Sequence, residues 1–163
     1  ERAIESRSFN LILRQQPIAS DLRNVTSALK IVTDLERIGD QAADIAEIIL
    51  NFEGEHAYRT VEHIPTMAKK AKMMVHEAID AFIKKDLSTA QMVIKMDDEI
   101  DSLFQEVKQE VTEILKENSE RIDYCIDFLM IAKYLERVGD HAVNICEWLE
   151  FNQTGTMNDH RLI

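Results

Sequence analysis

Carboxylates at Glu36, Asp40, Asp44 and Glu47 are spaced by four, four and three residues, and Glu136, Asp140 and Glu147 repeat the pattern one hundred positions later. On a helix turning about 100° per residue, each set falls within a sector about 80° wide and forms one acidic stripe. Asn144 stands where the first copy has Asp44. Like charges at i,i+4 destabilise a helix by roughly 0.2–0.5 kcal/mol per pair, and a mid-helix glycine costs about 1 kcal/mol relative to alanine. Both penalties occur twice at matched positions, with the glycines at Gly39 and Gly139. A cation held by the carboxylates would offset them.

A further pair, Asp97 and Asp101, shares a helix sector with Ile94, Phe104 and Leu115 and is therefore expected to face packing partners. A carboxylate in that position calls for a cation, a hydrogen bond or a proton. All-oxygen ligation suits hard or borderline cations such as Mg, Mn or Fe better than a thiolate zinc site. Two plainer readings compete. The stripe is a solvated face of an acidic protein, or Arg37 and Arg137 relieve the repulsion by pairing at i,i+3 with Asp40 and Asp140. His141 lies one residue off the stripe and reads as a surface histidine.

The elements that must position these groups are long helices. Periodic apolar residues predict helices near 3–16, 21–52, 64–85, 87–117 and 121–151. Pro17 ends the first helix, Ser20 or Asp21 caps the second, Pro65 suits a first turn, and Asp86 or Ser88 caps the fourth. Val25, Ala28, Val32, Leu35, Gly39, Ala43 and Ala46 form one expected packing stripe. The Met-rich face around Met67 and Met74 reads as core filler. Residues 53–63 read as a connector, and the tail after Gly155 as patternless. No strand is expected. The chain opens without Met inside a helical pattern, so a segment upstream of Glu1 is expected.

A net charge of −11 argues against binding a nucleic-acid backbone, which requires clustered Lys and Arg. No apolar run reaches the ~20 residues of a membrane-spanning helix, and the expected location is cytoplasmic. Cys125 and Cys146 align with the small apolar residues Val25 and Ala46 and read as buried core thiols.

Pro17-Ile18-Ala19-Ser20-Asp21-Leu22-Arg23, Leu29-Lys30-Ile31 and Asp34-Leu35-Glu36-Arg37-Ile38-Gly39-Asp40 resemble the signature of the PhoU family, accessory regulators of bacterial phosphate uptake. Tyr134-Leu135-Glu136-Arg137-Val138-Gly139-Asp140 is similar to that signature's second half. The resemblance implies an all-α fold of tandem antiparallel three-helix units, like spectrin repeats. Residues 1–56 would be an incomplete first unit of two helices and 57–163 a complete second. It also implies metal clusters held by Glu/Asp-x-x-x-Asp motifs, which map here to Glu36, Asp40, Asp44, Asp97, Asp101, Glu136 and Asp140. The metal would be Fe, Mn, Mg or Zn.

The implied role is non-enzymatic: a negative regulator docking between the ATPase of a phosphate ABC transporter and a phosphate-sensing histidine kinase. A second copy of the chain is a further candidate partner. Alternatives are a regulatory domain on a sodium/phosphate cotransporter, a helical adaptor contacting a basic partner, and a di-iron carboxylate enzyme. The last needs Glu-x-x-His on helices, and the one such spacing, Glu53-Gly54-Glu55-His56, falls in the connector. The second unit carries ligands on two helices, whereas the first carries only Glu36, Asp40 and Asp44, so the second is expected to bind metal more tightly.

Overall fold

The structure, a computed structural model, describes residues 1–52, 61–117, 122–157 and 160–161. Five helices, α1 (Arg2–Gln15), α2 (Ser20–Leu50), α3 (His63–Lys84), α4 (Leu87–Glu117) and α5 (Ile122–Thr154), precede two short strands, β1 (Thr156–Met157) and β2 (His160–Arg161). The all-α expectation holds, with every helix end within three residues of its expected place. The strands correct the reading of a patternless, strand-free tail. Gly155 takes φ 77°, and its N–H bonds the Phe151 carbonyl at 2.8 Å, which ends α5. The chain then turns back, pairing Thr156 with Arg161 and Met157 with His160.

α5 lies at the centre and packs against α2, α3 and α4. Its buried Phe128, Leu135, Ala142 and Leu149 meet Met67, Met74 and Ala78 of α3 and Val93, Ile100 and Val107 of α4. Met67 and Met74 are fully buried, so the Met-rich face is core. Cys125 and Cys146 are buried as well, and burial pushes the Cys146 thiol up to about 12, leaving it uncharged.

The link from α3 to α4 is tight. Lys85, at φ 56°, lets the Asp86 N–H reach the Ala81 carbonyl at 2.9 Å. The Asp86 carboxylate then accepts from the backbone N–H and hydroxyl groups of Ser88 and Thr89, capping α4. Those donors hold its carboxyl down at about 2.

α2 and α5, which carry the repeat, run antiparallel. Arg23 donates to the Asn152 carbonyl at 3.2 Å, Ser27 to the Trp148 carbonyl at 3.2 Å, and Asp34 meets His141 at 2.9 Å. Position rises along α2 as it falls along α5. Asp34, 9% exposed, also accepts from the Asn144 amide at 3.1 Å. His141 is therefore not a surface histidine: it pairs with a buried carboxylate on the neighbouring helix.

The two copies of the repeat differ in what covers them. Gly139, Ala142, Cys146 and Leu149 are buried, while their counterparts Gly39, Ala42, Ala46 and Ile49 are exposed. The expected packing stripe on α2 thus holds at Val32, which is buried, and fails at Gly39, Ala43 and Ala46. A Cβ on Gly139 would lie 3.1 Å from Asp97 Oδ1, 3.6 Å from Ile100 and 3.7 Å from Met74, whereas one on Gly39 would meet nothing within 4 Å.

The paired glycines give a direct test. Gly39→Ala is expected to stabilise the protein by about 1 kcal/mol, because it recovers helix propensity in open space. Gly139→Leu is expected to destabilise it by about 1–3 kcal/mol, because it forces α4 and α3 away from α5. Urea denaturation of both variants beside the parent measures the difference; a stabilising Gly139→Leu would contradict the packing described.

Candidate metal centre

Acidic residues of α4 and α5 lie near one another beside Gly139, with Asp97 half-buried and Asp101 and Asp140 exposed. Gly139 presents no side chain, so α4 approaches closely enough to set the Asp97 carboxylate against the α5 backbone. Asp97 Oδ1 is buried and has no hydrogen-bond partner among the described residues. Burial, followed by the charges of Asp140, Asp101, Asp98 and Glu136, pushes the Asp97 carboxyl up to about 6. Asp140 is raised too, by burial and then by Glu136 and Asp101, against the lowering effects of Lys133 and His141. Asp101 and Glu136 thus act on both Asp97 and Asp140, which places the four carboxylates within electrostatic reach of one another.

One cation already sits beside it. Lys133 pairs with Glu136, which is 15% exposed, and its ammonium lies 5.4 Å from the centre of the Phe104 ring. Arg137 makes no ion pair with Asp140 among the described residues, so the expected i,i+3 relief is absent from this copy. Lys133, one turn earlier, provides part of it.

The copy of the repeat on α2 behaves otherwise. Arg37 bridges Glu36 at 3.7 Å and Asp40 at 3.5 Å, all on the surface, as the plainer reading of the stripe expects. Asp44 is half-buried one turn further on. Such exposed pairs contribute little, about 0–1 kcal/mol each. The structure therefore sets the four sequence-derived candidates of α4 and α5 within electrostatic reach without closing them into a group, Asp101 and Asp140 standing exposed beside half-buried Asp97 and Glu136. It leaves Glu36 and Asp40 on α2 with Arg37 as their counter-charge.

Among the described residues, no three His, Cys, Asp or Glu side chains form a group close enough to hold a metal ion as they stand. What fits a hard cation is the donor chemistry: four carboxylates on two packed helices, one with a buried oxygen lacking a donor. Glu53-Gly54-Glu55-His56, the spacing considered for a di-iron site, lies outside the described residues.

Two polar groups escaped the sequence reading. Asp34 shares a helix face with Ile31, Ile38 and Ile45, and that apolar setting was the available signal of its burial. His63 contacts Glu106 and Glu110 of α4, whose i,i+4 spacing was visible but was outnumbered by other acidic residues.

Comparison with known proteins bears on the family and the fold. The family model described as the PhoU domain matches residues 1–49 and 64–149. A phosphate-specific transport system accessory protein PhoU homolog of Clostridium acetobutylicum is 41% identical over 160 residues, covering 98% of this chain and 73% of that relative. The Pseudomonas aeruginosa homolog is 38% identical over 160 residues, covering 96% of this chain and 65% of its own length. The crystal structure of PhoU from Pseudomonas aeruginosa superposes with a TM-score of 0.82 at 34% identity, over 95% of this chain and 75% of that one. PhoU from Streptococcus pneumoniae gives 0.79 at 30%, over 97% and 77%. With its doubled acidic signature and shared helical architecture, the chain belongs to the PhoU family.

Proposed function

We propose that this chain acts in phosphate transport as a metal-binding, non-catalytic regulator. The relatives it resembles are named accessory proteins of the phosphate-specific transport system, and at least one covers 98% of this chain. In this reading it works in the cytoplasm by docking, between the transporter ATPase and a phosphate-sensing histidine kinase, and it represses the starvation response. No helix among the described residues is long and apolar enough to cross a membrane. Unchanged phosphate uptake and unchanged phosphate-responsive expression after removal of the gene would reject the role.

The observation that carries the metal reading is the buried, unpartnered Oδ1 of Asp97 beside Asp140. Asp97, Asp101, Glu136 and Asp140 would hold a cation such as Mn or Fe, which supplies positive charge to join α4 to α5. The chain's part is to gather ionised carboxylates on two helices at a spot that Gly139 keeps free of side chain. On α2 the exposed Arg37 competes for Glu36 and Asp40, so metal held there is expected to be weaker.

Metal content by mass spectrometry, after dialysis against Mn²⁺ and then metal-free buffer, tests the difference between the copies. Asp140→Ala is expected to remove more metal than Asp40→Ala; equal losses, or none bound by the parent, contradict it.

Protonation gives an independent check. The folded state raises the pKa of Asp97, so the folded protein binds that proton more tightly than the unfolded chain does. Its contribution to stability is complete below the ordinary carboxyl range near 3.8 and is lost as pH rises through about 6. In chelator, the denaturation midpoint is expected to fall between pH 5 and pH 7.5, and Asp97→Asn should flatten that fall. Mn²⁺ should restore the midpoint at pH 7.5 in the parent but not in Asp97→Asn. An identical response in both proteins would place the metal elsewhere.

A further inference from the structure

At the start of α3, away from the acidic site of α4 and α5, one imidazole lies between two carboxylates of another helix. His63 Nε2 is 2.9 Å from a Glu106 oxygen, and Nδ1 contacts Glu110 Oε1. Glu106 and Glu110 are one turn apart on α4 and reach the ring from its two sides. A neutral imidazole has one N–H and can donate to only one carboxylate, while the cation has two. Both contacts are satisfied together only by the protonated ring. The second oxygen of Glu110 is buried without a hydrogen-bond partner among the described residues, so that carboxylate depends on the ring for counter-charge.

We infer that His63, Glu106 and Glu110 form a proton-operated clasp that fixes the first turn of α3 to α4, closed when the imidazole is cationic and released when it is neutral. The surrounding charges favour the closed form. Glu62, immediately before α3, is a third anion acting on the ring. α4 also carries Lys108, which turns to Gln105 and to the Phe104 ring. α5 runs parallel to α3, and the register that puts Gly139 beside Met74 brings buried Phe128 level with His63. The charged residues of α5 near that level, Asp123 and Asp127, are anions; Lys133, further along, is engaged by Glu136. The hydrogen bond to Glu110, the largest influence, raises the His63 pKa above its ordinary value of 6.5 against a smaller lowering by burial.

The sign follows from linkage. A histidine whose folded pKa is raised contributes stability that is complete below 6.5 and is lost as pH rises through the folded value. The clasp is closed at mildly acidic pH and opens on the alkaline side, the reverse of a histidine buried in its neutral form.

NMR titration of the His63 ring in the full chain tests this without any variant. A midpoint above 6.5 is expected, falling in Glu110→Gln and less in the more exposed Glu106→Gln. Amide exchange at Met67 and Ala68, whose N–H groups bond back to the carbonyls of the first turn of α3, should, once corrected for the intrinsic pH dependence, lose protection several-fold between pH 6 and pH 8.5. In Glu110→Gln that protection should be low at both. A midpoint at or below 6.5, or corrected protection independent of pH, overturns the proposal.

Discussion

The separation of α4 from α5 is fixed at Gly139. Where a side chain would stand, Asp97, Ile100 and Met74 approach instead, so one missing Cβ sets the spacing of α3 and α4 against the central helix. The same closeness takes a carboxylate oxygen of Asp97 away from water and raises its proton affinity. Packing and electrostatics are thus one arrangement: loosening the contact would lower the cost of the buried charge and also give up the core on either side of it.

Much of this was legible in the residues. Helix boundaries follow from periodic apolar positions and from Asp86, whose capping role was visible beside Ser88 and Thr89. The acidic repeat was legible because i,i+4 spacing survives any tertiary context, but of the Asp97–Asp101 pair expected to face packing partners only Asp97 does, and Asp101 is exposed. What each copy packs against was not legible. Glu36-Arg37-Ile38-Gly39-Asp40 and Glu136-Arg137-Val138-Gly139-Asp140 are nearly identical, yet Gly39 stands open beside an arginine bridge while Val138 and Gly139 are buried against α3 and α4. Burial is a property of the neighbours, and a local motif does not encode them.

His141 and Asp34 show the same limit from the other side. Each looked ordinary alone, a polar residue beside a stripe. Their meaning comes from the antiparallel register of α2 and α5, which sets them 2.9 Å apart across 107 residues of chain. The tail misled for a local reason: a two-residue strand pair held by the Gly155 turn is too short to leave a period in the sequence.

That α2–α5 contact also bears on how the duplicated halves choose one another. The repeat places Tyr134 at the position of Asp34, Gln41 at that of His141 and Asp44 at that of Asn144. A homotypic pair of α5 helices in this register would set Tyr134 against His141 and leave Asn144 without its carboxylate acceptor. Polar groups left unmatched at a helix interface discriminate between partners more strongly than apolar ones do. The two copies have therefore become complementary rather than interchangeable, and pairing within one chain is favoured over exchange of like helices between chains.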